Sequence, residues 1–142
     1  MAITFAVDHE QRLVVALARG IVSGDEFFAY QRQAWSSPDV LGYDEIFDLT
    51  GVTEIGGATS ERMRELAALA GSMDTPSLAS KFAIVATKSL IFGLGRMYQA
   101  FRELSQGGAK EIQVFYDLQE AQRWLGKDAE PTLTDLRAKA KD

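Results

Sequence analysis

The sequence contains no cysteine, and this absence removes several classes of chemistry at once. Without thiols the chain has no disulfide, no thiolate zinc site and no cysteine nucleophile. It also has a single histidine, His9, in a polar stretch between two apolar runs, where acid–base catalysis lacks a cleft and a partner group. A cysteine-free chain is compatible with a reducing compartment, so we expect a cytoplasmic protein.

Positive charge and long apolar runs are also scarce. The chain has 15 Lys and Arg residues against 20 Asp and Glu residues, for a net charge of −5. Domains that bind duplex nucleic acid usually carry the opposite sign, so we expect no nucleic-acid partner. No stretch approaches the roughly 18 uninterrupted apolar residues that a membrane span requires. The first ten residues, MAITFAVDHE, lack a basic leader and predict a strand rather than a signal peptide.

The motifs that remain do not indicate an enzyme. Neither a G-x-x-x-x-G-K-[ST] pattern nor a G-x-G-x-x-G pattern is present. With no cysteine and one isolated histidine, only a mechanism based on carboxylates or on Lys and Arg remains open. We therefore expect a protein that is not an enzyme and that holds neither a cofactor nor a metal ion.

Strand-like and helix-like patterns alternate along the chain and predict an α/β fold. Apolar residues 3–7 and 13–17 flank a polar turn, as in a β-hairpin. The nearly continuous apolar run 81–86 is typical of a strand buried on both faces of a parallel sheet. The predicted order is ββαβαβαβα, a mostly parallel five-stranded sheet with one antiparallel strand and four main helices. We expect a single domain at 1–126 and a charged, partly mobile tail at 127–142.

The stretch 44–69, DEIFDLTGVTEIGGATSERMRELAAL, is the centre of this predicted fold. A short apolar strand enters a glycine-rich turn, and the turn opens a helix whose first N–H groups can bind an anion. The turn is either such a ligand or regulatory site or a plain connection that requires small residues. Asp48 likewise either acts with neighbouring carboxylates or accepts backbone N–H bonds. The candidate corner consists of Asp48, Thr50, Gly51, Gly56, Gly57, Thr59 and Ser60.

Residues 48–52, Asp-Leu-Thr-Gly-Val, together with Ile55, resemble the STAS domain, the fold of the SpoIIAA-like anti-sigma-factor antagonists. In that family a similar run precedes an aspartate-serine-serine-glycine turn at the start of a helix. Residues 56–59 read Gly-Gly-Ala-Thr here, so both serine positions hold a small apolar residue. The resemblance therefore implies a regulatory module whose phosphoacceptor serine is lost. Thr59 or Ser60 can replace it only by a shift of register.

The second half of the chain is similar to the proteobacterial SpoIIAA-like proteins of STAS and Sec14 type. The stretches KFAIVAT, FGLGRMYQAF and EIQVFYDLQEAQRWLG follow that family's pattern of strand, long helix, strand and closing helix. The resemblance covers residues 3–126 and implies a bacterial module that binds a regulatory protein or forms a homodimer. The alternative is a carrier of a small or lipid-like molecule, bound in an aromatic-lined cleft between the first and third helices.

The longest predicted helix, residues 89–104, offers a second candidate surface. Phe92, Arg96 and Gln99 share the face opposite its apolar stripe. An aromatic residue beside an arginine is typical of an interface anchor, so these three are candidates for binding a protein partner. The alternative is that Phe92 covers the edge of the sheet. Residues 106–108 are expected to end this helix.

Overall fold

The computed structural model describes residues 2–105 and 109–140. Within these ranges the chain forms five strands, five helices and one short 3-10 helix. In chain order they are β1 (Ile3–Asp8), β2 (Leu13–Ser23), α1 (Gly24–Trp35), the 3-10 helix (Pro38–Val40), β3 (Asp44–Gly56), α2 (Ser60–Met73), β4 (Ser80–Val85), α3 (Ser89–Leu104), β5 (Lys110–Phe115), α4 (Leu118–Leu125) and α5 (Glu130–Ala140). The segment 106–108, predicted to end α3, lies outside the described residues.

The five strands form one sheet in the order β1-β2-β3-β4-β5. Strand β1 pairs with β2 in antiparallel orientation, and each later pair is parallel. Parallel neighbours require a crossover connection, and here helices α1, α2 and α3 provide it. The predicted α/β class and the mostly parallel sheet with one antiparallel strand are confirmed.

Helices cover both faces of the sheet. Helices α1, α2 and α3 pack on one side, called here the α1–α3 face, and helices α4 and α5 pack on the other, the α4–α5 face. Successive side chains of a strand point to opposite faces. In β3, Phe47 and Leu49 therefore join the core of the α1–α3 face, whereas Ile46 joins that of the α4–α5 face.

The end of the chain differs from the predicted tail at 127–142. Helix α5 packs against β1 and β2, and Leu133 and Leu136 are buried there. Ala129, immediately before the helix, is fully buried in the same core. The apolar positions of α5 are few and lie among charged residues, which hides its periodicity in the sequence. The domain therefore extends beyond residue 126 and has a fifth helix.

Strand β3 is also longer than predicted, because the pairing with β2 continues past the rest of the sheet. Its pairing with β4 ends at Asp48, but residues 51–56 still pair with residues 19–23 of β2. Val22 and Val52 are fully buried in this extension and hold it against the core. The predicted glycine-rich turn is therefore mostly strand.

The turn itself is confined to the residues between Gly56 and Ser60. Gly57 has a φ of +73°, in the left-handed region that disfavours side chains. Thr59 ends the turn as the N-cap of α2, where its hydroxyl oxygen accepts a hydrogen bond from the backbone N–H of Arg62 at 3.2 Å.

Candidate ligand-binding cavity

The α1–α3 face contains a cavity of about 760 Å³, counting the part that opens to solvent. It lies between helices α1, α2 and α3 and strands β3 and β4. Ligand sites in proteins are concave and mostly apolar. The lining fits that description, since aromatic and aliphatic side chains dominate it, among them Phe27, Phe28, Phe47, Met63, Leu66 and Leu94.

Aromatic rings form much of the wall and meet one another at an angle. The ring of Phe47 lies 4.9 Å from that of Tyr30, edge to face, and 5.8 Å from that of Phe27. On the opposite side the rings of Phe82 and Tyr98 also meet edge to face, at 6.1 Å. Such pairs are favourable beyond the area that they bury, so they stabilise the wall in this arrangement.

A buried polar cluster, called here the polar end, borders the cavity through Tyr30, Glu45 and Tyr98, and it contains an ion pair whose Lys110 does not itself line the cavity. The Tyr30 hydroxyl donates to Oε2 of Glu45 at 2.6 Å, and Nζ of Lys110 lies 3.0 Å from Oε1 of the same carboxylate. The side chains of Glu45 and Lys110 are only 3% and 8% exposed. The Lys110 ammonium also lies 3.1 Å from the centre of the Trp35 ring, a cation–π contact. Both carboxylate oxygens of Glu45 therefore have a partner.

A second buried pair, Asp74 with Arg102, contacts the lining residue Tyr98, but its two members are not among the residues that line the cavity. Arg102 binds Oδ2 of Asp74 at 2.6 Å and donates to the hydroxyl oxygen of Tyr98 at 3.1 Å. Oδ2 of Asp74 also accepts a hydrogen bond from the backbone N–H of Ala109. The two pairs, Glu45 with Lys110 and Asp74 with Arg102, carry no net charge together.

Burial changes the acidity of the groups at this end. It raises the pKa of Tyr98 to about 12, although the neighbouring Arg102 acts in the opposite direction. Burial also raises the pKa of Tyr30 well above its usual value, and Glu45 adds to that shift. The pKa of Lys110 is lowered by burial, against the attraction of Glu45. Both hydroxyl groups therefore stay protonated at neutral pH.

The solvent-exposed side of the cavity carries one cation, Arg62 of α2. Its guanidinium contacts Asp25 at 2.7 Å and Glu65 at 2.9 Å, and it lies 4.2 Å from the centre of the Phe28 ring. We call this side the mouth. Its only described cation is thus already shared between two carboxylates.

The predicted corner does not form one site, because its residues lie on different faces of the sheet. Asp48 is buried toward the α4–α5 face, where Oδ2 accepts a hydrogen bond from Arg137 at 2.9 Å. Its other oxygen accepts from the backbone N–H and the hydroxyl of Thr50, at 2.9 and 2.7 Å. Of the two interpretations of Asp48, the structure supports the one in which its carboxylate accepts hydrogen bonds from backbone N–H groups.

The glycines and hydroxyls of the corner lie elsewhere. Gly51 and Gly56 belong to the extension of β3, and Gly57 lines the cavity. Thr59 and Ser60 are exposed at the start of α2. Only the segment around Gly57 therefore connects the predicted corner with the cavity.

The candidate interface residues of α3 have different surroundings. Phe92 is half-buried and stacks on Tyr116, with ring centres 3.8 Å apart and planes 4° apart. Gln99 donates to Glu103 at 3.2 Å, and Arg96 is exposed. Phe92 thus covers Tyr116, the residue that follows β5. The proposed role of this face of α3 in binding a partner stays a prediction.

Sequence reasoning missed most of the polar end. Lys110, Arg102, Asp74 and Arg62 carried no signal of their own, because each is an ordinary charged residue at the end of an element or on a helix. Glu45 offered one, since it is a charged residue inside an apolar strand. Its partner lies 65 residues further along the chain, which no local pattern reveals.

Two further kinds of site were sought in the described chain. In residues 2–105 and 109–140, no three His, Asp or Glu side chains lie close enough together to hold a metal ion. No helix in that part of the chain is long and apolar enough to cross a membrane.

A mixed five-stranded sheet with helices on both faces defines a small α/β domain, and an apolar cavity lies under the helices of one face. No family model and no curated protein matches the chain. A crystal structure of an uncharacterized DUF3478-family protein from Shewanella loihica PV-4, described as having a SpoIIAA-like fold, does match. The TM-score is 0.57 at 16% identity, over 87% of this chain and 94% of that one. The chain therefore has a SpoIIAA-like fold, which confirms the fold that residues 48–52 imply.

Proposed function

We propose that this protein is a non-enzymatic binding module that carries an apolar small molecule in the cavity of the α1–α3 face. The observation that carries the proposal is the cavity itself, with its wall of aromatic and aliphatic side chains. Protein interiors are normally packed as densely as organic crystals. An apolar concave site of this kind is a common binding site for a small apolar molecule.

The chemistry of the lining supports binding rather than turnover. Its described residues include no serine, threonine or histidine that could pair a nucleophile with a base. The one carboxylate, Glu45, is held by Lys110 and Tyr30. We expect this carrier to act in the cytoplasm, because a chain without cysteine is compatible with a reducing compartment.

A neutral fluorescent probe, N-phenyl-1-naphthylamine, tests the proposal directly. We expect its emission to rise and saturate with the wild-type protein, because the probe is apolar and small enough for the cavity. Leu66→Trp fills the cavity from α2 and should weaken binding about tenfold or more, since it removes apolar area from the ligand. Leu104→Trp makes the same change at an exposed position of α3 and should leave binding unchanged.

The control for folding is the circular dichroism and urea denaturation of both tryptophan variants. Absence of saturable probe binding by the wild-type protein would refute the carrier function. Equal binding by the Leu66→Trp and Leu104→Trp variants would show that the probe binds elsewhere.

A second candidate function is the regulatory one that the STAS resemblance implies. It is favoured by the exposure of Thr59 and Ser60 at the start of α2, whose next turn lines the cavity at Arg62 and Met63. A phosphate there would meet the free N–H groups of the helix start. Mass spectrometry after incubation with lysate and ATP tests it, with the Thr59→Ala/Ser60→Ala variant as control. Absence of phosphate on both residues contradicts it.

The same hypothesis includes a protein partner or a homodimer that binds through Phe92, Arg96 and Gln99. Light scattering during size-exclusion chromatography measures the mass in solution. A homodimer should elute with twice the monomer mass, and Arg96→Glu should shift it toward the monomer by placing like charges across the interface. A monomer at all concentrations contradicts the homodimer and leaves the protein partner to a pull-down from native lysate.

A further inference from the structure

Helix α3 is apolar on two sides, and the sheet covers only one of them. The residues that it buries are Ile91, Gly95, Tyr98 and Arg102. At 3.6 residues per turn, a second apolar set lies on nearly the opposite side of the helix. We call this set the α3 stripe, and it consists of Leu90, Gly93, Met97, Ala100 and Leu104. Leu90 and Leu104, at its two ends, are 73% and 79% exposed.

The spacing of the α3 stripe is that of a coiled-coil seam. Its members follow one another at intervals of three, four, three and four residues, which is a heptad repeat. Side chains at this spacing form one row along a helix and interdigitate with the matching row of a second helix. The exposed stripe therefore has the pattern of a surface that binds another helix.

The two glycines of α3 have opposite surroundings. A Cβ added at Gly95 would lie 3.2 Å from Cγ1 of Val114, so the packing of α3 on the sheet explains that glycine. A Cβ added at Gly93 would meet nothing within 4 Å in the described chain, apart from the helix itself. Glycine is among the residues that least favour a helix. Gly93 is thus unexplained inside one copy, whereas a second helix packed closely against α3 would require a small residue there.

The charges beside the stripe are complementary to those of a second copy. Arg96 and Glu103 are exposed, lie on the same side of the stripe and are seven residues apart. Within residues 2–105 and 109–140, neither forms an ion pair. When two α3 helices pack antiparallel about a two-fold axis, Arg96 of each copy lies beside Glu103 of the other. In a parallel pair Arg96 would meet the apolar Phe101 instead.

The same antiparallel register also places large residues opposite small ones. Met97 of one copy lies opposite Ala100 of the other, and Leu104 lies opposite Gly93. The two-fold axis repeats both contacts. A large side chain opposite a small one fills such a seam without overlap. One register therefore satisfies both the charges and the shapes of the stripe.

We propose that two copies of this protein form an antiparallel homodimer through the α3 stripe, with two symmetric ion pairs between Arg96 and Glu103. This inference goes beyond the carrier function and does not depend on it, because none of the five stripe residues is among those that line the cavity. It also differs from an interface through Phe92 and Gln99, which lie on another side of the helix.

Analytical ultracentrifugation from about 1 µM to 1 mM tests the dimer, since a short interface dissociates in that range. The wild-type protein should pass from monomer to dimer as its concentration rises. Leu104→Glu should weaken association at least about tenfold, because it places a charge in the apolar seam of each copy. Ile21→Glu changes a similarly exposed residue outside the stripe and should dimerise like the wild type. A wild-type monomer throughout the range, or equal weakening by both variants, overturns the inference.

The Gly93→Gln variant separates association from folding. It should raise the urea midpoint measured at about 1 µM, because glutamine favours a helix more than glycine does and has open space at this position. It should nevertheless weaken association at least about fivefold, since the longer side chain holds the two helices apart. Unchanged association in this variant overturns the proposed seam.

Reversal of the charges tests the antiparallel register. Arg96→Glu and Glu103→Arg should each weaken association about three- to tenfold, because both ion pairs become contacts between like charges. The double variant restores opposite charges in both pairs and should dimerise within about twofold of the wild type. A double variant that associates no better than the single variants overturns the antiparallel arrangement.

Discussion

The two faces of the sheet are built on the same strands, yet they are packed in opposite ways. On the α4–α5 face, Leu13, Val15 and Leu133 are fully buried in a core of aliphatic side chains. On the α1–α3 face, aromatic rings in edge contact surround the cavity. We call the α1–α3 face, which contains the cavity, the hollow face, and the α4–α5 face the solid face.

Each face also contains one buried carboxylate of β3, and the two are neutralised differently. Glu45 on the α1–α3 face is held by Lys110, and both side chains are buried. Asp48 on the α4–α5 face is 2% exposed, but its partner Arg137 is 37% exposed. The hollow face thus encloses its ion pair more completely than the solid face does.

The largest effect is expected from Lys110→Met, which removes one side of the enclosed pair. The variant should lose about 3–5 kcal/mol of unfolding free energy, because Glu45 is left buried and charged. Urea denaturation at pH 7 measures the loss. Lys127→Met, which breaks a more exposed pair with Asp44, should cost about 1 kcal/mol or less. A similar small loss in both variants would mean that Tyr30 alone compensates Glu45.

Matched leucine substitutions compare the packing of the two faces. Leu133→Ala should cost about 2–5 kcal/mol, because it opens a void in a dense core. Leu66→Ala, at a half-buried position that already borders the cavity, should cost about 1 kcal/mol, since little packing is lost. The denaturation midpoints of the two variants provide the measurement. Equal costs would show that the α1–α3 face is packed as tightly as the other.

The pH dependence of stability reports on the polar end of the hollow face. Burial raises the pKa of Tyr98 from 10.0 to about 12, so its contribution is present in full below pH 10 and is lost as the pH rises through 12. The loss should reach about 3 kcal/mol, from about 1.4 kcal/mol per unit of pKa. Tyr30 acts in the same direction, whereas Lys110, with its lowered pKa, acts in the opposite one.

Unfolding free energies of wild type and Tyr98→Phe at pH 9, 10 and 11 isolate this contribution. The wild type should lose more stability above pH 10 than Tyr98→Phe does, and Tyr116→Phe should follow the wild type. Parallel curves for the wild type and Tyr98→Phe would contradict a buried, protonated Tyr98.

A small effect is expected from Arg137→Met on the solid face. Asp48 keeps its two hydrogen bonds from Thr50, and the guanidinium is partly exposed. We therefore expect a loss of about 1 kcal/mol, well below that of Lys110→Met. Thermal denaturation of the two variants side by side makes the comparison. A larger loss for Arg137→Met would reverse the ranking of the two ion pairs.

Local patterns were enough to predict much of the fold. The apolar run 81–86 became β4, and the hairpin at the start formed as expected. Each of these features depends on residues within one or two turns of chain, which is why the sequence reveals them.

Features that depend on distant partners were not predicted. The extension of β3 forms because β2 continues beside it, and helix α5 forms because the sheet offers it an apolar surface. The glycines of β3 alone indicated a turn, because the pairing of this segment with β2 cannot be seen in the local sequence. An aromatic-lined cleft was anticipated as an alternative, but its polar end was not, since Glu45 and Lys110 meet only in the folded chain.

Helix α5 has a consequence for the synthesis of this protein. It lies over β1 and β2, which precede it by more than 100 residues, and two hydrogen bonds at 2.6 and 2.8 Å join Gln11 to Asp128 across 117 residues. At a translation rate of about 5–20 residues per second, several seconds pass between the synthesis of Leu13 and Val15 and that of the helix that covers them. The core of the α4–α5 face is thus completed only after the last helix of the domain has been made.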